Sequence, residues 1–442
     1  MANMSKNTKL WILLIFILQL FVAAGFELAH DEAYYWLYSK NLDWGFFDHP
    51  PLVAIIIKMF SFLPDSELAL RLGFILLQFT TLFILLNLTA YSKLVVWLFF
   101  AFPLASFAGL LAIPDMCLLF MTACYCFSLK KYLEVDSKKN ILMLSLVIPL
   151  LLYAKYHGIL LVFFTIVSTP SLLKRPSFYI VFLISFVLFL PHVFWQYQHD
   201  FSTLRYHFLE RPRSDFSIKR ILEYLIAQIG LAGVFVGPIV WKIILSKKGG
   251  SAFEKAMKTI SVGTVLFFLI STVSKKFEAN WTIFLAFPLI YLSANDKLWE
   301  KKTIRGALYF SVVVVLFSRI LLLVPPSLLE IRRLGEFHGW KDWARHVEKL
   351  CGETPILANT YQVASKLSYY LGTEIGALNY QSRKNQFDYW RFERKIPTGK
   401  VCYLTDKSQF SGHPVLTPEG KSLRIVKNMS LQELWKLKYQ SR

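Results

Sequence analysis

Cysteine is scarce in this chain, acidic residues are outnumbered, and neither an internal repeat nor a low-complexity linker is present. The five cysteines show no CxxC spacing, which removes zinc ribbons and dithiol redox centres from consideration. Cys117, Cys124 and Cys126 fall inside one apolar run, where a thiol behaves as a small hydrophobe. Cys351 and Cys402 are available to pair in an oxidising compartment. Only 29 Asp and Glu oppose 49 Lys and Arg, a formal charge of +20. Nucleic acid is one use for such a surplus. Here the cations come in short clusters between apolar stretches, so no nucleic-acid partner is expected. The missing repeat also weighs against a transporter or flippase assembled from two related halves.

Apolar residues are abundant. At 55% hydrophobic and 16% aromatic, with a mean hydropathy of +0.44, the chain is too apolar for a soluble fold of 442 residues. A helix needs about 20 apolar residues to cross the hydrocarbon. Spans are predicted near 10–26, 67–89, 94–111, 114–129, 141–153, 157–172, 178–195, 219–244, 259–274, 280–294 and 306–325, about eleven in all. The first follows Lys6 and Lys9 like a signal peptide, but Phe26-Glu27-Leu28 is a poor cleavage site, so it reads as an uncleaved span.

Lys and Arg collect in cytoplasmic loops. With the N-terminus inside, alternate connections carry Lys6 and Lys9; Lys93; Lys130, Lys131, Lys138 and Lys139; Lys174 and Arg175; Lys247, Lys248, Lys255 and Lys258; and Lys297, Lys301, Lys302 and Arg305. The intervening connections hold Asp31, Glu32, Asp43, Asp48 and Asp115, plus a few isolated cations. The chain then leaves its last span outside. After Pro325-Pro326 it turns polar, with an amphipathic stretch at 339–350, a helix at 361–371 and strands at 355–358, 375–378 and 400–405. The expected division is a multi-span body over 1–326 and a small extracytoplasmic α/β domain over 327–442.

The first outer loop places Asp31 and Glu32 at the end of a span, followed by Tyr34, Tyr35 and Trp36 and then by Asp48-His49-Pro50-Pro51. Acids at that depth are costly unless used or paired. The plainer alternative is a pair of solvated acids beside an aromatic interfacial belt; anchoring is the favoured role for Tyr34, Tyr35 and Trp36. Asp115 follows Pro114 where a span begins, as a site acid or a helix N-cap. His30, Asp31, Asp48 and His49 lack metal-ligand spacing, so neither metal nor other cofactor is expected.

The run Asp31-Glu32-Ala33-Tyr34-Tyr35-Trp36, with Asp48-His49-Pro50-Pro51 beyond it, resembles the first extracytoplasmic loop of bacterial glycosyltransferase family 39. That family is related to the dolichyl-phosphate-mannose protein mannosyltransferases and the aminoarabinose transferases of lipid A. Weaker likenesses follow in order at Ile113-Pro114-Asp115, Leu152-Tyr153-Ala154-Lys155-Tyr156 and Glu278-Ala279-Asn280-Trp281. The resemblance implies an α-helical polytopic GT-C fold and an inverting transfer of sugar from a polyprenyl phosphate. The active site would face the periplasm from a bacterial inner membrane.

The resemblance makes Asp31 the general base and Glu32 a neighbour that orients it or binds sugar hydroxyls. The acceptor it implies is lipid A or another envelope glycolipid, with a protein O-mannosyltransferase-like enzyme or a lipid-linked sugar flippase as alternatives. A departing lipid phosphate needs cations or hydrogen-bond donors. His49 stands where relatives often have lysine. Lys155, with Tyr156 beside it, is the next candidate, followed by Arg211, Arg213, Lys275 and Lys276 in other outer loops. Each cation has a plainer role: Lys155 snorkelling from a helix end, Arg211 and Arg213 on lipid headgroups, and Lys275-Lys276 as a solvated pair.

Overall fold

A computed structural model of the protein describes residues 4–206, 215–274, 276–329, 331–396 and 399–440. Among them, five helices are long and apolar enough to cross a membrane: Lys6–Ala24, Glu67–Leu88, Pro114–Glu134, Pro176–Gln198 and Lys302–Leu323. The last of these ends in a 3-10 turn. The helices Lys138–Ala154 and Ala252–Thr272 add to the bundle, with shorter apolar helices at Tyr156–Ser168, Gly237–Ser246 and Ala279–Ser293. Outward faces carry exposed Phe21, Leu183, Phe186 and Ile270. Apolar groups so exposed suit lipid rather than water. The chain is a multi-pass membrane protein.

Two of the predicted spans are broken. The run at 94–111 is two helices, Lys93–Ala101 and Pro103–Ala108, because the residue before a proline is driven out of helical geometry. The run at 219–244 is likewise Ile218–Leu231 and Gly237–Ser246. The breaks meet: Gly233 has φ +88°, and a Cβ there would lie 3.0 Å from the Ala101 carbonyl oxygen. Glycine is needed both for the conformation and for the close approach.

The first outer loop is itself helical, over His30–Lys40 and Leu52–Met59. The first of these helices starts with Asp31 and Glu32 and has Lys40 in its last turn, charges that suit the helix dipole. The Glu32 carboxylate accepts the Ala29 N–H at 2.8 Å, closing the N-terminus.

The C-terminal domain carries a five-stranded sheet of β1 (Ile356–Ala358), β2 (Gly376–Ala377), β3 (Lys400–Thr405), β4 (His413–Leu416) and β5 (Ser422–Ser430). The order is β2-β1-β3-β5-β4, with β1 parallel to β2 and β3, and β5 antiparallel to β3 and β4. The helices Trp340–Cys351, Tyr361–Leu371 and Leu431–Gln440 accompany it. A disulfide joins Cys351 to Cys402, with Cα atoms 5.7 Å apart.

The Tyr361–Leu371 helix lies against the first-loop helix. Tyr361 packs on Tyr34 with ring centroids 4.7 Å apart, Trp36 on Tyr369 at 5.2 Å, and the Tyr370 hydroxyl accepts the Leu28 N–H. One apolar core therefore runs from the bundle into the domain.

Candidate active site

Ligands of open α/β sheets bind outside the carboxyl ends of parallel strands. Here the segments leaving β1 and β2 supply Thr360, Tyr361 and Gln362, then Asn379, Ser382, Arg383 and Asn385, to a cavity of about 720 Å³. The opposite walls come from the first loop (Asp31, Tyr35, His49) and from the bundle (Ile113, Pro114, Asp115, Lys155, Glu278, Asn280, Trp281). The four separate stretches carrying the resemblance thus meet in one chamber.

Asp31 opens into this cavity and is reached by water there, yet protein surrounds it. That burial within the protein, and next the Glu336 and Asp48 carboxylates, raise its pKa from the usual carboxylate range to about 6. The Tyr361 hydroxyl donates to Asp31 Oδ1 at 3.2 Å, bringing the C-terminal domain onto the carboxylate.

Glu32 faces the other way. Its side chain is fully buried and takes hydrogen bonds from Arg71 Nε at 2.8 Å, Arg71 Nη2 at 2.7 Å, Ala112 N at 2.9 Å and Ala29 N. Arg71 also donates to the carbonyls of Ala23, Phe26 and Glu27. The expectation that Glu32 binds sugar hydroxyls is therefore corrected: its oxygens are saturated and do not line the cavity. The ion pair instead ties the Asp31 helix to the bundle. The sequence analysis passed over Arg71, although a charge inside the apolar run 67–89 was a signal in itself.

Asp115 and Lys155, candidates on separate grounds, are partners. Lys155 Nζ lies 2.9 Å from Asp115 Oδ1, both side chains are 5% exposed, and Asn280 Nδ2 donates to the same oxygen at 3.2 Å. An ammonium has three protons. Asp115 Oδ1 accepts a hydrogen bond from one of them and fixes the group at the cavity wall. Asp48 does not line the cavity but anchors Arg383, which does: Oδ1 lies 2.6 Å from Arg383 Nη2, while Oδ2 accepts the Tyr34 hydroxyl at 2.8 Å. Nothing local in the sequence marked Arg383. His49 lines the cavity and packs edge-on against Tyr35 with centroids 5.7 Å apart.

Tyr34 and Tyr35 are buried within the fold, so the interfacial anchoring expected of them is corrected. Tyr156 is corrected as a ligand group too. Its hydroxyl lies 2.8 Å from both His192 Nε2 and Gln196 Nε2, in a cluster outside the cavity. His192 Nδ1 in turn donates to the Trp44 carbonyl at 2.7 Å, so this cluster holds the connection between the two first-loop helices. Lys276 is exposed, its Nζ 3.8 Å from Glu278, at the start of the segment that enters the site. Arg211, Arg213 and Lys275 lie outside the described residues.

An acid, an anchored lysine and an arginine thus face one chamber. Residues 48–195 match the family model described as dolichyl-phosphate-mannose-protein mannosyltransferase. The lipid A galacturonosyltransferase RgtD of Rhizobium johnstonii is 25% identical over a 441-residue alignment, covering 91% of this chain and 92% of that relative. The crystal structure of ArnT from Cupriavidus metallidurans in the apo state superposes with a TM-score of 0.69 at 13% identity, covering 96% of this chain and 99% of ArnT. The structure of the same ArnT bound to undecaprenyl phosphate gives 0.68 at 13% identity, over 95% and 97%. The fold is GT-C. Together the three kinds of match support the assignment to the GT-C, glycosyltransferase-39-like group that the first-loop motif implied.

Proposed function

We propose that this chain is an inverting glycosyltransferase that moves a sugar from a polyprenyl phosphate to lipid A or a related envelope glycolipid. The proposed site of action is the periplasmic face of a bacterial inner membrane. The observation that carries this reading is the shared cavity: Asp31 lines it from the first loop, and the Lys155–Asp115 pair lines it from the bundle. In the reaction an acceptor hydroxyl attacks the anomeric carbon while Asp31 takes its proton. The bond from that carbon to the phosphate oxygen breaks on the opposite face, and the polyprenyl phosphate leaves with its charge held by Lys155. Arg383 and His49 are placed to bind the donor or acceptor from the other walls.

The full-length similarity to a lipid A galacturonosyltransferase puts lipid A first among acceptors and a uronic acid first among sugars. A uronate carboxylate suits the Arg383 guanidinium, and the Asn, Ser and Thr side chains beside it suit sugar hydroxyls. The disulfide and the basic connections on the other side support placing 327–442 outside the cytoplasm. Mass spectrometry of lipid A from a deletion strain tests the reading. Loss of one hexuronate mass, restored by the intact gene, is expected. Unchanged lipid A with a sugar lost from a secreted protein would move the acceptor to protein, and unchanged lipids and proteins would overturn the proposal.

A further inference from the structure

A second large cavity lies at the other end of the bundle. The helix Ala252–Thr272 leads from its C-terminal end into Glu278, Asn280 and Trp281 of the candidate active site, and spans roughly 30 Å. Around its N-terminal end a cavity of about 680 Å³ is lined by Lys247, Lys248, Lys255 and Lys258. Its remaining wall is mostly apolar, with Phe164 and Val167 facing Val262, Gly263 and Leu266. The two helices that form it approach closely, since a Cβ on Gly263 would lie 2.4 Å from the Phe164 ring.

The lining is ordered along the helix. Lys255, Thr259, Val262 and Leu266 follow at intervals of four, three and four residues, one stripe about 16 Å long that is cationic at one end and apolar at the other. Of the four lysines, Lys247 is paired with Glu254 at 2.9 Å and Lys258 donates to the Lys247 carbonyl at 2.6 Å. Lys248 and Lys255 have no acidic partner among the described residues, so the end of the groove keeps a net positive charge.

We propose that this groove binds one anionic phospholipid, its phosphate among Lys248, Lys255 and Lys258 and an acyl chain along Val262 and Leu266. Charge complementarity selects the headgroup, and the apolar stripe selects a lipid over a soluble anion. Neither the catalytic cavity nor the identity of the donor enters the argument.

Native mass spectrometry of the full-length protein in detergent tests it, titrating dioleoyl phosphatidylglycerol against dioleoyl phosphatidylcholine. Inorganic phosphate and glycerophosphoglycerol serve as chain-free probes. Preferential binding of phosphatidylglycerol is expected, weakened at least about tenfold in a Lys248→Gln/Lys255→Gln/Lys258→Gln variant. The matched variant Lys297→Gln/Lys301→Gln/Lys302→Gln, on another basic connection, should bind as wild type does. Equal loss in both variants would mean diffuse charge only and would overturn the site. Displacement of the lipid by millimolar phosphate would make it a soluble-anion site, and equal binding of phosphatidylcholine would remove the role of charge.

Discussion

Asp31 and Glu32 are neighbours on one helix, roughly 100° apart around its axis. Asp31 looks into a polar chamber shared with the C-terminal domain, while Glu32 looks into the bundle and is closed off by Arg71 and two backbone amides. The same chemical group is thereby given two tasks. Asp31, where burial and the Glu336 and Asp48 carboxylates outweigh the lowering effect of His30, has a pKa near 6, a value that suits the proposed general base. Glu32, with its oxygens taken up by Arg71 and two backbone amides, fixes the helix to the bundle. A catalytic acid or base is usually under-satisfied, and its brace is not.

The comparison breaks most visibly at Asp31. Asp31→Asn should lower the transfer rate by about 10²–10⁴-fold while leaving insertion and thermal stability close to wild type, because a general base is lost without any buried charge being orphaned. Retained turnover in a purified-enzyme assay would take Asp31 out of the mechanism. Glu32→Gln should show the reverse balance. Arg71 would keep its charge in a site with 0% side-chain exposure and lose its counter-ion, at a cost of about 3–5 kcal/mol. Lower yield and a clearly reduced melting temperature are expected in detergent. A variant that melts like wild type would show that the pair is not a brace.

The hydropathy runs and the first-loop motif were legible in the sequence because both are local properties of the chain. Runs of apolar residues located the helices, and Asp31, Asp115 and Lys155 could be chosen by their place at the ends of such runs. Pairings were not legible. That Asp115 meets Lys155, or that Asp48 meets Arg383 across 335 residues, follows from packing that no local pattern encodes. Some signals were present and passed over. Arg71 and Arg319 are charges inside predicted spans, and both are fully buried with hydrogen-bond partners. The strand Ser422–Ser430 begins with Leu423 and Ile425 buried in alternation, a period-two pattern, whereas 400–405 is buried continuously from Val401 to Thr405. Tyr156 misled because it adjoins Lys155. Adjacent side chains at a helix break point in different directions, so a role inferred for one does not extend to the next.

A finer test concerns the hydroxyl of Tyr361, which reaches Asp31 from the C-terminal domain. The bond favours the ionised carboxylate, so it lowers the pKa against the opposing effects of burial, Glu336 and Asp48. Asp31 acts in its ionised form, so wild-type activity should fall as pH drops through about 6. Tyr361→Phe removes a stabiliser of that form and should move the inflection upward by roughly half a unit, as expected for one hydrogen bond worth about 0.5–1 kcal/mol. The loss of rate should then be larger at about pH 5.5 than at about pH 8, on either side of the inflection. An equal loss at both would mean that Tyr361 only supports the packing against Tyr34, whereas a displaced inflection with little loss at high pH assigns it to the base. Such a displacement would make the C-terminal domain a participant in setting the proton affinity of the site rather than a cover over it.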